Sequence, residues 1–286
     1  MSIVSRLRKT YTYLRWMLKP PRYMGKLVRT GLRGRRRTAI ADASLTPGGN
    51  ATYDGLCAEG YAKVPGAAFE LPEIDLAPLR GKAHGMPFFN CLPGDWARLK
   101  PLICAVLMEP DIADCLLRYF DGRPWFWNAA LNYSEPSNTI QDSQLWHFDY
   151  GDRKQLHLMI YFSEVDVDCG PFTFFPAGVS DRIVRSPLEV ERFSDADLKA
   201  RYGLDPAGAI RLTGRRGDCF VNDPGRTLHQ GARCAKPRLV LFLTFTTTAP
   251  MSRGGSRTLR AEQRRDLCEY YQRVAGGTVF RKEFFT

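Results

Sequence analysis

Short apolar runs separated by turn residues fill the chain after Gly122 and predict a mainly β domain. The runs are dense in aromatic and β-branched residues, and Gly, Pro, Asn and Asp stand between them. In chain order they are PWFWNAALNY, LWHFDY, QLHLMIYFSEV, PFTFFP, DCFVND and RLVLFLTFTT. Such a series is typical of a β-barrel or of two packed sheets.

Helical periodicity appears on both sides of this β region. Residues 96–120 place apolar side chains at the spacing of two helices separated at Pro110, and we expect these helices to brace a sheet from outside. A helix is also predicted over 194–202, with a serine at its N-cap position, and a last helix at about 259–274. Residues 42–95 are rich in Gly and Pro and predict loops and edge strands that wrap the domain.

The positive charge of the chain is concentrated near its start. The formal net charge is +11, and twelve of the 41 Lys and Arg residues precede residue 38, whereas the first acidic residue is Asp42. The rest of the chain holds 29 basic against 30 acidic residues and is nearly neutral. We therefore predict a basic N-terminal arm over 1–41 and a single domain over 42–286, with its β core at about 122–248.

The basic arm begins with an amphipathic pattern. Residues 3–19 place apolar side chains at helical spacing with basic residues between them, and Pro20 and Pro21 end the pattern. Attraction of residues 1–37 to an anionic membrane face is one interpretation. Two others stay open: the helix packs on the domain and the rest is a solvated tail, or the Arg-rich, acid-free segment is a transit peptide.

Cysteine usage and hydropathy bear on the compartment. The eight cysteines form no C-x-x-C pair, so neither a zinc site nor a redox motif is indicated. No stretch of eighteen apolar residues is present, and basic residues interrupt the apolar start of the chain. We predict a reducing, cytoplasmic location, with peripheral contact at the membrane surface if the arm binds lipid.

Two histidines and an aspartate form a candidate metal site. In LWHFDY, His147 and Asp149 are two residues apart on a predicted strand, so both side chains leave the same face. Trp146 and Phe148 take the other face. His229 follows the predicted strand DCFVND, at its end and before a turn. Two histidines and one carboxylate on a β scaffold are the facial triad that leaves three positions of an octahedral iron open, enough for 2-oxoglutarate and dioxygen.

Two further residues are candidates for binding the co-substrate. Arg238 opens RLVLFLTFTT, where a hairpin return would bring it beside the metal, and a guanidinium can hold a carboxylate through two parallel hydrogen bonds. We assign it to the distal carboxylate of 2-oxoglutarate. On PWFWNAALNY, Phe126, Asn128, Ala130 and Asn132 share one predicted face, and an inward Asn132 would hydrogen-bond 2-oxoglutarate or serve as a structural amide.

A third histidine lies on the next predicted strand. His157, Met159 and Tyr161 alternate together along QLHLMIY, so they share one face. If that face points inward, the three line the cavity. A buried, hydrogen-bonded His157 without a catalytic part is the alternative.

Over residues 124–247 the chain resembles the phytanoyl-CoA dioxygenase family of 2-oxoglutarate-dependent oxygenases. The resemblance lies in WHFDYGDRKQLHLMIYFSEVDVDCGPFTFFPAG and in GDCFVNDPGRTLHQGA with the arginine that follows. It implies a double-stranded β-helix, a cupin-like jelly roll with flanking helices. It also implies Fe(II) bound by His147, Asp149 and His229, with 2-oxoglutarate held by Arg238 and O2 as the second co-substrate.

Two features of the chain matter for its comparison with this family. Where relatives often have a P-G-S-H-like loop, residues 176–181 are PAGVSD, so we expect an altered wall of the substrate pocket. Asp149 is present, whereas halogenating relatives lack this carboxylate. Hydroxylation or a related oxidation is therefore favoured over halogenation.

The sequence predicts a dioxygenase that hydroxylates a small organic or lipid-like substrate, because the triad and the arginine together suit that chemistry. The fold does not decide among substrates. One alternative is a hydroxylase of a macromolecule, tRNA or protein, with the arm and the basic residues 253–265 as its contact surface. Another is a non-catalytic barrel protein that the arm recruits to membranes.

Overall fold

The computed structural model describes residues 46–66, 69–122, 124–137, 140–149, 154–183, 191–247 and 259–276, and Phe285. The predicted N-terminal arm lies outside these ranges, and so does the predicted domain boundary beside residue 42.

Two antiparallel sheets form the body of the described chain. The strands are β1 (Tyr61–Lys63), β2 (Phe89–Asn90), β3 (Trp125–Ser134), β4 (Trp146–His147), β5 (Gln155–Tyr161), β6 (Thr173–Phe174), β7 (Arg192–Phe193), β8 (Ile210–Arg211), β9 (Cys219–Asn222), β10 (His229–Gln230) and β11 (Arg238–Thr246). The six-stranded sheet has the order β1-β9-β5-β11-β3-β2, and the five-stranded sheet has the order β7-β4-β10-β6-β8. The prediction of a mainly β jelly roll is confirmed.

Helices cover the outside of the sheets. They are α1 (Pro47–Glu59), α2 (Trp96–Met108), α3 (Pro110–Tyr119), α4 (Ala177–Ser180), α5 (Asp195–Tyr202) and α6 (Ala261–Ala275). The predicted helices at 96–120, 194–202 and 259–274 are confirmed, and Ser194 caps α5 through a hydrogen bond from the backbone N–H of Asp197. The prediction for residues 42–95 was correct for β1 and β2, which are edge strands, but it missed α1.

Strict alternation along β11 separates the core from the cavity. Leu239, Leu241, Leu243 and Phe245 belong to the large apolar cluster that also contains side chains of α2, α3 and α6. The residues between them line the space between the two sheets: Arg238, Val240, Phe242 and Thr244. The helices therefore brace the outer face of the six-stranded sheet, as expected, and leave its inner face to the cavity.

A β-bulge in β3 changes which side chains enter that cavity. Thr244 of β11 pairs with Asn128, but the next residue, Phe245, pairs with Phe126, so Trp127 is the extra residue. Phe126 is fully buried in the apolar core under the helices, whereas Trp127 and Asn128 line the cavity. The predicted common face of residues 126 to 132 was therefore wrong for Phe126, because the bulge reverses the alternation there.

None of the helices among the described residues has the length and apolar character needed to cross a bilayer.

Candidate metal centre

His147 and His229 lie opposite each other on neighbouring strands of the five-stranded sheet. They are direct register partners in the β4–β10 pair, and their ring centroids are 4.3 Å apart. Both side chains line the cavity between the sheets, and both residues are buried. Phe172 stacks on the ring of His229 at 4.9 Å between centroids. The sheet pairing thus fixes the separation of the two imidazoles.

Backbone carbonyls determine which nitrogen of each histidine faces the cavity. Nδ1 of His147 lies 2.7 Å from the carbonyl oxygen of Leu145, and Nδ1 of His229 lies 3.0 Å from that of Thr227. Since a carbonyl oxygen only accepts, each Nδ1 carries the proton of the neutral ring. The lone pairs are therefore on the Nε2 atoms, and this outer hydrogen bond is the usual support of a metal-binding histidine.

Asp149 completes the cluster from just beyond the end of β4. Its backbone N–H donates to the carbonyl oxygen of Pro224 at 2.9 Å, which ties it to the segment that precedes His229. Its Oδ1 is 3.6 Å from Nε2 of His147. One potential ligand atom from each of the three residues lies within 4.8 Å of the other two. The structure thus brings together the three residues that the sequence predicted.

Burial and charge set the protonation of this cluster. Burial lowers the pKa of His147 below its ordinary value and lowers that of His229 to about 3. For Asp149, burial acts to raise the pKa, but His229, His157 and His147 outweigh it and the pKa lies below the ordinary value. Neutral imidazoles beside a carboxylate are the protonation states that divalent metal binding requires.

The cavity of about 540 Å³ extends from this cluster to Arg238. Arg238 is buried, its Nε has no hydrogen-bond partner, and no carboxylate in the described part of the chain forms an ion pair with it. Asn132 lines the same cavity, and its Oδ1 is also buried without a hydrogen-bond partner. The orphaned Arg238 donor fits a bound dicarboxylate, because buried polar groups normally find a partner, whereas Asn132 Oδ1 is an acceptor and only the Asn132 NH2 group could donate to a carboxylate.

The connections of His229 and Arg238 differ from the prediction. His229 is not at the end of β9 but on a separate strand, and β9 and β10 belong to different sheets. Arg238 does start β11, as predicted, yet β10 and β11 are also in different sheets, so no hairpin joins them. The chain crosses between the sheets twice, and both residues reach the cavity from opposite walls.

His157 lines the cavity, and its Nε2 is 3.1 Å from Nε2 of Gln155. Burial is the main cause that lowers the pKa of His157. Met159 and Tyr161 share its face, as predicted, but they are fully buried in a second apolar cluster and do not line the cavity.

Several residues that line the cavity were not predicted from the sequence. Gln155, Trp127 and Arg192 line the cavity, and the register partner of Arg192 is His147. Only the alternation of Gln155 with His157 could have indicated one of them. None of residues 176–181 is among the described residues that line the cavity, so this loop is not part of the described wall, and the expected difference from the wall of relatives stays a prediction.

No protein-family model and no curated protein matches the chain. Solved structures do match it. The epimerase SnoN, in complex with Fe3+, alpha ketoglutarate and nogalamycin RO, is 18% identical with a TM-score of 0.45, over 75% of this chain and 96% of that one. AviO1 from Streptomyces viridochromogenes is 18% identical with a TM-score of 0.44, over 73% and 99%.

EctD from S. alaskensis, crystallised with 2-oxoglutarate and 5-hydroxyectoine, is 15% identical with a TM-score of 0.45, over 75% of this chain and 79% of that one. The resemblance to the phytanoyl-CoA dioxygenase family remains a prediction. The geometry of the site therefore carries the evidence for its chemistry.

Proposed function

We propose that the protein is an Fe(II)- and 2-oxoglutarate-dependent dioxygenase that hydroxylates a small organic or lipid-like substrate. The observation that supports this most is the convergence of His147, Asp149 and His229 within 4.8 Å at a cavity that also contains Arg238, a buried arginine that forms no ion pair with any described carboxylate. Two histidines and one carboxylate are the donor set of non-haem iron oxygenases. Bound iron would let dioxygen decarboxylate 2-oxoglutarate to succinate and oxidise the substrate.

Different residues of the chain bind the metal and the co-substrate. His147, Asp149 and His229 hold the metal, and the hydrogen bonds to Leu145 and Thr227 keep each imidazole in the tautomer that binds. Arg238 binds the distal carboxylate of 2-oxoglutarate through its guanidinium fork. Asn132 donates a hydrogen bond to the same co-substrate.

The dimensions of the cavity favour a small substrate. A volume of about 540 Å³ lies in the range of small-molecule sites, and aromatic and apolar side chains form much of the wall. The lining residues include Trp127, Phe172 and Phe242. A macromolecular substrate would have to insert a single side chain or base into this space.

The test is 2-oxoglutarate turnover, measured as succinate release by the anaerobically reconstituted Fe(II) protein after oxygen is admitted. We expect slow turnover in the wild type, because 2-oxoglutarate decarboxylation proceeds without substrate at a low rate, and none after metal removal by a chelator. His147→Ala, Asp149→Ala and His229→Ala should each abolish turnover and weaken Fe(II) binding.

His84→Ala is the matched control, since His84 is exposed and does not line the cavity. Wild-type turnover in this variant and none in the other three would support the shared metal site. Undiminished turnover in His229→Ala would contradict it. Absence of Fe(II) binding by the wild type would favour the non-catalytic barrel protein instead.

A further inference from the structure

We propose that Gln155 is a positioning residue that holds the carboxylate of Asp149 so that only one of its oxygens faces the two histidines. This inference rests on the proposed function, because it concerns the same metal. Gln155 would thereby keep the second carboxylate oxygen out of the coordination sphere and leave that position to the co-substrates.

The two oxygens of Asp149 have different surroundings. Oδ1 is 3.6 Å from Nε2 of His147, on the side of the metal ligands. Oδ2 is 3.1 Å from Nε2 of Gln155, which donates to it. No other side-chain amide or hydroxyl in the described part of the chain hydrogen-bonds this carboxylate. Nε2 of His157 is 3.5 Å from the same Oδ2, so Gln155 and His157 together distinguish Oδ2 from Oδ1, and Gln155 supplies the shorter contact.

The orientation of the Gln155 amide follows from its partners. An ionised carboxylate only accepts, so the NH2 group and not the carbonyl of Gln155 faces Asp149. The same nitrogen is 3.1 Å from Nε2 of His157, which can accept its second proton. Nε2 thus has two partners, whereas the buried Oε1 has none.

Burial makes this arrangement rigid. Gln155 is 3% exposed and stands at the start of β5, where Thr246 of β11 is its register partner. A hydrogen bond to a charged group in such surroundings contributes more than one at the surface. Partners of this kind set the orientation of metal-binding carboxylates.

The test compares Co(II) binding to the metal-free protein. Gln155→Met keeps an unbranched side chain of similar length and removes the donor. We expect its Co(II) affinity to fall about 10- to 100-fold, the range found for losing such an outer partner. We also expect an altered visible spectrum of bound Co(II) and weaker binding of 2-oxoglutarate to the Co(II) protein, since a freed carboxylate can bind through both oxygens. The melting temperature of the metal-free protein should also fall, because the buried Asp149 and His157 lose a hydrogen-bond donor, so Co(II) affinity is measured well below the melting temperature of the variant.

Gln230→Leu is the matched control. Gln230 is a buried amide next to His229 in the chain, and it does not line the cavity. Wild-type Co(II) affinity and spectrum in this variant would show that the loss of a buried amide beside a metal-binding residue does not by itself weaken Co(II) binding. Gln155→Leu provides a second substitution in case Met packs poorly.

The outcomes separate this proposal from the proposed function. If the wild type binds neither Co(II) nor Fe(II), the proposed function fails. If the wild type binds Co(II) and both Gln155 variants match its affinity and spectrum, only the role of Gln155 is wrong. Loss of metal-free stability with unchanged Co(II) affinity would make Gln155 a packing residue and would also overturn the proposal.

Discussion

Arg238 is a buried guanidinium at the start of β11, and its surroundings are unusual for a charged group. It is 5% exposed, its Nε lacks a hydrogen-bond partner, and Val240 and Phe242 follow it on the same face of the strand. Leaving a charge buried without a counterion is costly. Such a residue is expected where an anionic ligand supplies the missing partner.

Arg238→Gln should therefore weaken 2-oxoglutarate binding without lowering the stability of the fold. We expect the KM for 2-oxoglutarate to rise about 10- to 100-fold, as a loss of about 1.5–3 kcal/mol from charge-assisted hydrogen bonds implies. Fe(II) affinity should stay unchanged, since Arg238 is not a ligand. The melting temperature without ligand should not fall, because the variant removes an uncompensated buried charge. Succinate release at varied 2-oxoglutarate concentrations and a melting curve measure these effects.

The control for this variant is Arg211→Gln, an exposed arginine on β8. Its KM should equal that of the wild type. An unchanged KM in Arg238→Gln would assign the distal carboxylate to another group. Arg238→Lys should recover only part of the affinity, because an ammonium cannot form the two parallel hydrogen bonds.

Among individual residues, the sequence predicted those whose chemistry is distinctive. His147, Asp149 and His229 could be found because few residue types bind metals and their spacing suited strands. The contact of Gln155 with Asp149 could not, since a glutamine in a strand has no chemical signature and its partner is a carboxylate six residues away in the chain. Trp127 could not either, because its position depends on a bulge.

Among the elements, the bulged strand β3 is held by the C-terminal helix. Nη1 of Arg264 donates to the carbonyl oxygen of Phe126 at 2.6 Å, and Nη2 donates to that of Trp127. At a bulge, carbonyls leave the sheet ladder and need other partners. One guanidinium on α6 thus stabilises the point where β3 turns Trp127 into the cavity.

Arg264→Ala should destabilise the fold by about 2–3 kcal/mol, because two part-buried carbonyl groups lose charge-assisted hydrogen bonds. Chemical denaturation would measure the change in the free energy of unfolding. Arg265→Ala is the control, since Arg265 is exposed on the same helix, and its effect should stay within about 0.5 kcal/mol. Equal effects of the two substitutions would mean that Arg264 does not hold the bulge.

Hydrophobic periodicity predicted those elements that pack one clear face. Helices α2, α3 and α6 have such a face, and their positions agree with the sequence analysis. Helix α1 was missed because Pro47, Gly48, Gly49 and Gly55 give it the composition of a loop. Its start is held by Thr46, whose side chain accepts from the backbone N–H of Gly49, and by tertiary contacts that outweigh propensity.

For the molecule as a whole, the sequence predicted a two-layer β fold but not how the chain moves between the layers. Strand identity follows from local alternation, whereas the choice of sheet depends on pairing between distant segments. The segment between β9 and β10 shows the difference. Its carbonyls support Asp149 through Pro224 and His229 through Thr227, and no local pattern marks that role.

The chain divides into a strongly basic start and a nearly neutral remainder. Twelve basic residues precede residue 38, and the remaining chain is close to neutral. We propose that this arm attaches the protein to anionic lipid, with an attraction of about 1 kcal/mol for each basic residue near the surface. Such an attraction is screened by salt.

Deletion of residues 1–37 should therefore abolish sedimentation with vesicles that contain anionic lipid. The full chain should sediment at low salt and dissociate as salt is raised, and neither form should bind neutral vesicles. A full chain with Leu7→Ser and Leu14→Ser keeps every charge but weakens the apolar face of the predicted helix, so its binding should fall without vanishing. Equal, salt-independent sedimentation of the full and deleted chains would contradict a lipid role. Arm-dependent retention on RNA, without binding to anionic vesicles, would instead favour a macromolecular substrate, because the basic residues of the arm would then bind nucleic acid and not lipid.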